Sequence, residues 1–552
     1  MKKFRFLFSL FAIAAFTSCE DYLNEENIAN VTASGYYTTA SGLEDAVRAT
    51  YGIMKEFYGP EIGWTMSVFG TDTYRAGADG SHKYMGRYDS GHNSEATYMR
   101  DTWKIFYRQV NQANAVIARA EGVEDMDATL KSRRIAEAKF LRALAYFNLV
   151  RHYGDIHLSL EETEGVEITA NKTSASEVYA AITSDLNDAI SGLEDNPSDY
   201  GRASIPAAQF LLAKVKLSQP SPDASGAESL MTSVINNPRF SLLSDFSDLW
   251  SLDNERNSEV VWAIQNAKSQ VDEGLDGYGH RGHLYFLMEY DKKPAMTRDT
   301  ENGRPWKRFR PTEYLMDVVF ADRQNDSRYD KTYKHVWYAN VGNEGGPNGV
   351  AVKKGDTALY IPGPGLDKNG VDLDAYWTEA KQNTVNYEVY TSNEWDTRTF
   401  PSLNKWIDNT RPNRQHTQGQ RDYLLMRLAD AYLIRAEARL AQGNTSGAAN
   451  DINVIRTRAA WDASKVAAMQ ITAADVDIDL ILDERARELV GEGHRWFDLK
   501  RTGQLISRVT AHNSDAKANI KAHHIVRPIP LSQIDRTDGG YAQNPGYARS
   551  EE

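Results

Sequence analysis

The stretch that decides the fold is Tyr423 to Ala459, YLLMRLADAYLIRAEARLAQGNTSGAANDINVIRTRA. Leu424, Leu425, Leu428, Ala431, Tyr432, Ile434, Arg435 and Ala438 recur at helical spacing, with small Ala residues where a second helix can approach. Gly443-Asn444 ends that helix, and Ala448, Ile452 and Ile455 open a second face of the same period. The segment therefore reads as an antiparallel helix pair closed by a short loop. One pair cannot bury its own apolar stripe, so it requires neighbours of the same kind.

Those neighbours lie upstream. Helical spacing marks Ala40 to Tyr58, with Ser41 as the expected N-cap, and resumes through Trp103, Phe106, Tyr107, Val110, Ala113, Val116 and Ile117. A long helix is expected over Lys131 to His152, and another from Ser174 or Ser176 through Ile190. SIPAAQFLLAKVKLSQ follows, with Pro206 in its first turn, and then Ala227 to Asn236. RALAYFNLVRHYG, AQFLLAKVKLSQ and ADAYLIRAEARLAQG share one design, an Ala-rich amphipathic helix ended by Gly or Pro. This is degenerate repetition of tetratricopeptide-like helix pairs. Between Ser247 and Gln420 the rhythm breaks. EVVWAIQ (Glu259 to Gln265) reads as a strand, and Pro and Gly are scattered through the rest. A long irregular insertion in a compact protein is usually functional.

Composition bounds the function. Over 552 residues, 41% hydrophobic and 25% charged content is that of a folded soluble protein, large enough for several packed subdomains. A formal charge of −13 argues against a nucleic-acid groove as the main business. The single cysteine, Cys19, follows a basic start (Lys2, Lys3) and an apolar run (Phe6 to Phe16) too short to span a bilayer. That order is a secretory signal peptide, and Cys19 at its end looks like the lipid-attachment residue of a bacterial lipoprotein.

Catalytic signals are poor. Gly277 to Gly282 fits GxGxxG, but no helical run opens behind it. Asp475-Val476-Asp477 starts like a calcium loop, yet Leu480 stands where Gly is needed. Asp367 to Asp374, DKNGVDLD, is the better oxygen-rich loop and the one candidate for structural Ca²⁺; otherwise no cofactor and no metal are expected. Binding signals are stronger. A sugar ring offers a C–H face to a flat aromatic ring and hydroxyls to polar side chains, so a glycan site needs both types on loops. Two irregular stretches have that mix. The first offers Asp72, Tyr74, Arg75, Lys83, Tyr84 and Arg87; the second offers Tyr278, His280, Arg281, Tyr285, Trp306, Arg308 and Trp337. Glu484, Arg485, Glu488, Arg495 and Asp498, crowded around an apolar stripe, read as a structural ion network rather than a catalytic cluster.

Several blocks, in order, resemble the SusD/RagB-like outer-membrane nutrient-binding lipoproteins of Bacteroidetes. They are the leader CEDYLNEE, WKIFY with Asn111 and Ala113-Asn114, AEAKFLRALAYFNLVRHYGD, RLADAYLIRAEARLAQG with NVIRTRA, ILDERARELVGEGHRWFDLKRTG, and PIPLSQID with QNPGY. The resemblance spans essentially the whole chain. It implies a mainly α fold in which tetratricopeptide-like pairs support an irregular ligand-binding half. It also implies a non-catalytic glycan- or peptide-binding lid on a SusC-like TonB-dependent transporter. Such a protein is anchored to the outer membrane by lipid alone and faces outward. The implied organisation is a signal peptide (1–18), an acylated leader (19–39), an N-terminal helical region (40–246), a ligand-binding insertion (247–420) and a C-terminal region (421–552). The alternatives are a surface glycoside hydrolase or lyase, or a helix-repeat scaffold for peptides or proteins.

Overall fold

The computed structural model describes residues 37–80, 82–163, 165–266 and 279–548. Cys19 and Tyr278 lie outside the described residues. The architecture is carried by helices α1 (Ala40–Ile53), α2 (Thr97–Arg119), α3 (Ala128–Tyr153), α4 (Ala175–Gly192), α5 (Ile205–Ser218) and α6 (Ala224–Ile235). It is completed by α7 (Leu428–Ala441), α8 (Thr445–Ala459) and α9 (Ile478–Glu488). Each of α2 to α6 packs on the next, α6 packs on α7, and α7 packs on both α8 and α9. The C-terminal pair thus continues a stack begun in the first half of the chain. The small residues on which the pairing rests (Ala429, Ala431, Ala436, Ala438, Ala448) are all fully buried.

Local chemistry sets the helix ends. Asp127 accepts from the amides of Thr129 and Leu130 at the start of α3, Ser174 and Glu177 form a reciprocal capping box on α4, and Ser204 caps α5 ahead of Pro206. At α1 the cap is Thr39, whose Oγ1 accepts from Gly42 N at 3.1 Å, two residues before the expected Ser41. Asn444, read from sequence as a stop, also caps α8 by accepting from Gly447.

One expectation needs correcting. Tyr423 to Arg427 is not the first turn of a helix. It is a strand antiparallel to Val260–Ile264, with Ile264 opposite Tyr423 and Val260 opposite Arg427. A short apolar run such as YLLM suits strand or helix equally, and a distant partner decided it. Nine short strands occur among the described residues: β1 (Tyr74–Ala76), β2 (Val260–Ile264), β3 (Phe309–Pro311), β4 (Tyr333–Lys334), β5 (Val336–Tyr338), β6 (Thr357–Tyr360), β7 (Glu388–Val389), β8 (Ser402–Leu403) and β9 (Tyr423–Arg427). They pair as β1–β3, β2–β9, β4–β8 and β5–β6–β7.

The block after α9 locks the two halves together. Gly491 and Gly493 adopt positive φ, 74° and 83°, which turns the chain back after α9. Arg427 then reaches Glu488 and Glu492, each at 2.7 Å, and Glu259 at 3.0 Å. Arg328 from the insertion reaches Glu484 at 2.8 Å and Glu488 at 3.0 Å. Arg485 bridges Asp430 at 2.7 Å and Asp498 at 2.9 Å. All these groups are buried. Such a network costs heavily if one partner is removed, because the remaining charge stays buried without compensation.

Candidate ligand-binding cleft

The two loop regions singled out in the sequence are joined by β1 and β3, with Tyr74 opposite Pro311, Arg75 opposite Arg310 and Ala76 opposite Phe309. Just past β1, Gly77 N donates to Arg308 O at 3.0 Å. Only Gly fits there, since a Cβ would lie 2.1 Å from the carbonyl oxygen of Lys307. Lys307 itself is held at φ 44°, a left-handed conformation rare outside Gly. Trp306 N and Arg308 N donate to Leu284 O (2.7 Å) and Tyr285 O (2.9 Å). These bonds fix Trp306 on a rigid edge, and its side chain remains partly exposed.

Trp306 lines an open cleft of about 530 Å³ with Tyr285, Arg281 and the Glu56–Ile62 segment, against the first turns of α2. From α2 come Tyr98, Asp101, Ile105 and Arg108, whose spacing of three or four residues puts them on one helix face, together with Lys104. Tyr98 is stacked on His82 at 3.8 Å, and His82 Nδ1 lies 3.0 Å from the Tyr84 hydroxyl. Arg308 lies 5.0 Å from the Trp306 ring centre and donates through Nε to Glu61 at 3.2 Å. Burial pushes the Glu61 carboxyl above its ordinary range despite Arg308. Glu56 is paired with Arg108, and Asp101 with Arg100. The cleft thus combines two flat rings from separate elements with a fringe of charged hydrogen-bonding groups.

A second groove of about 550 Å³ lies on the other side of the Met54–Glu56 turn and includes Arg48, Tyr51, Lys55, Tyr200 and Arg256. Its rings, like Tyr98 on His82, have contacts of their own: the Tyr51 hydroxyl donates to Glu137 at 2.7 Å, and Arg256 lies 4.7 Å from the Tyr200 ring centre.

Residues 258–547 match the family model described as "SusD family". The chain belongs to the SusD family. Residues 21–217 match a second model of this kind, described as "Starch-binding associating with outer membrane". A SusD-like protein of Formosa agariphila is 27% identical over 577 residues, 96% of this chain and 98% of its own length. The starch-binding protein SusD of Bacteroides thetaiotaomicron is 25% identical over 478 residues, 83% of this chain and 79% of that protein. A solved structure titled "Laminarin binding SusD-like protein" matches with a TM-score of 0.68 at 24% identity, covering 92% of this chain and 100% of that one. The SusD fold and its mainly α character, expected from the sequence, are thereby established.

Within this SusD framework several expected contact residues are elsewhere. Tyr74, 1% exposed, is a core residue: its ring meets Phe286 edge-on at 5.1 Å and its hydroxyl lies 3.3 Å from that of Tyr333. Asp72 is fully buried between Arg495 and Arg508. Burial would raise its carboxyl, but the two guanidinium groups more than offset this and hold it below the usual range. Trp337 is fully buried in the insertion's own core, stacked on Tyr290 at 4.8 Å. Tyr285 is 1% exposed and meets Trp306 edge-on at 5.9 Å, so it forms the floor of the cleft rather than a stacking platform. Arg75 is held by Glu313 at 2.7 Å. His280 is buried against Trp64 and Trp406. Tyr84, Arg281, Trp306 and Arg308 remain at or beside the cleft.

Sequence reasoning missed Tyr98, Asp101, Lys104 and Arg108. Their signal was present as a polar and aromatic stripe on α2, on the face away from Trp103, Phe106 and Val110. In the candidate calcium loop Asp367 accepts from the amides of Asn369 and Val371, Asp372 caps the next turn, and Asp374 accepts from Ser392. Among the described residues no group of three or more acidic, His or Cys side chains is placed to hold a metal ion.

Proposed function

We propose that this chain is a non-catalytic, cell-surface glycan-binding lipoprotein, anchored through Cys19 to the outer membrane. It captures oligosaccharides for a SusC-like TonB-dependent transporter beneath it. The observation that carries the reading is Trp306 and Tyr98, flat rings supplied by two separate elements, lining one open cleft fringed with hydrogen-bonding groups. Family membership, the description of the N-terminal model and the starch-binding name of one relative support the ligand class and the membrane association. No helix among the described residues is long and apolar enough to cross a membrane, which is compatible with attachment by lipid.

A binding role also suits the carboxylates of the cleft. Glu56, Glu61 and Asp101 each face a guanidinium group, an arrangement that fixes them as hydrogen-bond acceptors. Calorimetry of the purified protein against a panel of oligosaccharides tests the reading, with Trp306→Ala and Tyr98→Ala alongside the wild type. Each stacking contact is worth roughly 0.5–1.5 kcal/mol beyond area burial, so each variant should lose about two- to tenfold in affinity. Heat from no glycan, or unchanged binding in both variants, would reject it; sugar products released from the panel would favour an enzyme.

A further inference from the structure

Arg281 and Lys104 line the cleft from different elements, and neither makes an ion pair among the described residues. Arg281 is the more telling. Its backbone is pinned, N donating to Gly59 O at 3.1 Å, and its side chain is partly buried. Yet its Nε is buried without a hydrogen-bond partner. What bears on a ligand is the rest of the guanidinium group, which lines the cleft with no ion pair and is available to an anion there. Arg304, 5.6 Å from the Trp306 ring centre, also has no carboxylate partner among the described residues, but its Nη1 donates to Gln415 O at 2.7 Å. The cleft wall itself carries as many carboxylates (Glu56, Glu61, Asp101) as cations (Lys104, Arg108, Arg281). All three carboxylates are engaged, two of them by Arg308 and Arg100 from outside the wall, which leaves Arg281 and Lys104 as cations without a counter-ion.

From this we infer that the cleft selects an acidic saccharide, whose carboxylate or sulfate group is received by Arg281 with Lys104 beside it, while Trp306 and Tyr98 take the ring faces. The inference rests on the glycan-binding reading of the same cleft. A guanidinium group suits the purpose because its planar fork matches a carboxylate or sulfate with two parallel hydrogen bonds, which a hydroxyl cannot reproduce. A local cationic site also matters on this protein, because beyond a Debye length, about 8 Å at physiological salt, the overall negative charge is largely screened and the groups nearest a polyanion decide whether it is held.

The test compares polygalacturonate (carboxylated), a carrageenan (sulfated) and laminarin (neutral) by affinity electrophoresis and calorimetry, using wild type, Arg281→Gln, Lys104→Gln and Trp306→Ala. Lys104 is exposed, so its variant reports on charge even if Arg281→Gln folds poorly. One acidic probe should bind more tightly than laminarin and weaken as salt is raised. Arg281→Gln should cost that probe roughly ten- to a hundredfold and Lys104→Gln a few-fold, with little effect on any neutral binding. The two acidic arms show whether carboxylate or sulfate is preferred. If laminarin binds best, is lost in Trp306→Ala and is untouched by Arg281→Gln and Lys104→Gln, the inference falls and the glycan reading stands. If none of the three probes binds, the inference falls, and the reading falls with it should the wider panel also fail.

Discussion

Asp72 and Arg495 meet as a two-pronged fork, Nε to Oδ1 at 2.7 Å and Nη2 to Oδ2 at 2.5 Å, across 423 positions of sequence. Arg508 Nε adds a third contact to the same carboxylate at 3.0 Å. Asp72 lies just before β1, so this fork ties the edge that presents Trp306 to the C-terminal block. Replacing it with Asn leaves the buried Arg495 guanidinium without its counter-charge, while Arg508 keeps Asp479 and Asp483. Asp72→Asn should destabilise the fold by ~3–5 kcal/mol, seen as a lowered unfolding midpoint at neutral pH. A variant as stable as wild type would show that the fork is dispensable.

The close approach of Gly77 to Lys307 gives a second expectation. A methyl group there meets a backbone oxygen that cannot rotate away, so Gly77→Ala must force β1 and β3 apart. Stability should fall by ~1–3 kcal/mol, and glycan affinity should fall with it because Trp306 rides on that edge. Gly52→Ala, inside α1 with nothing within 4 Å, should instead be neutral or stabilising by ~0.5–1 kcal/mol.

Tyr74 and Trp306 should separate cleanly in their effects. Tyr74→Ala removes a buried ring and should cost ~3–5 kcal/mol of stability, whereas Tyr74→Phe, which keeps the ring, should leave glycan affinity unchanged. Trp306→Ala, at the cleft wall, should lose affinity with a much smaller change in unfolding midpoint. Thermal unfolding and calorimetry on the three variants check this; affinity lost in Tyr74→Phe with the fold intact would return Tyr74 to the site.

The contrast also shows what the sequence could reveal. The helix stack was legible because large and small residues recur together at helical spacing, as Ala431, Ile434 and Ala438 do. The involvement of the Pro- and Gly-rich insertion was legible for the same kind of reason: Trp306 stands where no regular element could bury it. Tyr74 was not. Along a strand, alternate side chains face opposite ways, and which way Tyr74 points depends on its register with Pro311, set far along the chain. Trp337 was hidden likewise by a small core that the insertion builds for itself. Tyr98 was overlooked because α2 reads first as an amphipathic helix, and its outer face is easily dismissed as solvent.

Stability should depend on pH with a definite sign. Burial holds His280, His283, His494 and His524 neutral by pushing each down to about 3. In the unfolded chain they titrate near 6.5, so their contribution is complete above about pH 6.5 and is lost as pH falls toward 3. Glu484 acts in the same sense lower down: Arg328, Arg456 and Arg487 overcome burial and hold it at about 2, so its contribution fades below about pH 4. Glu255 and Asp422 oppose this, burial raising them to about 7 and about 6, which favours the folded state as pH falls through that range. Four histidines outweigh two carboxylates, so the unfolding midpoint should be higher near neutrality than at about pH 5. The reverse order in differential scanning calorimetry would contradict the assignment.

The most direct test of the central claim is a crystal structure of the protein with an oligosaccharide it binds. The account predicts sugar density against Trp306 and Tyr98, with hydrogen bonds reaching Arg281 or Glu61. Density confined to the Arg48–Arg256 groove, or to any surface away from Trp306, would contradict it.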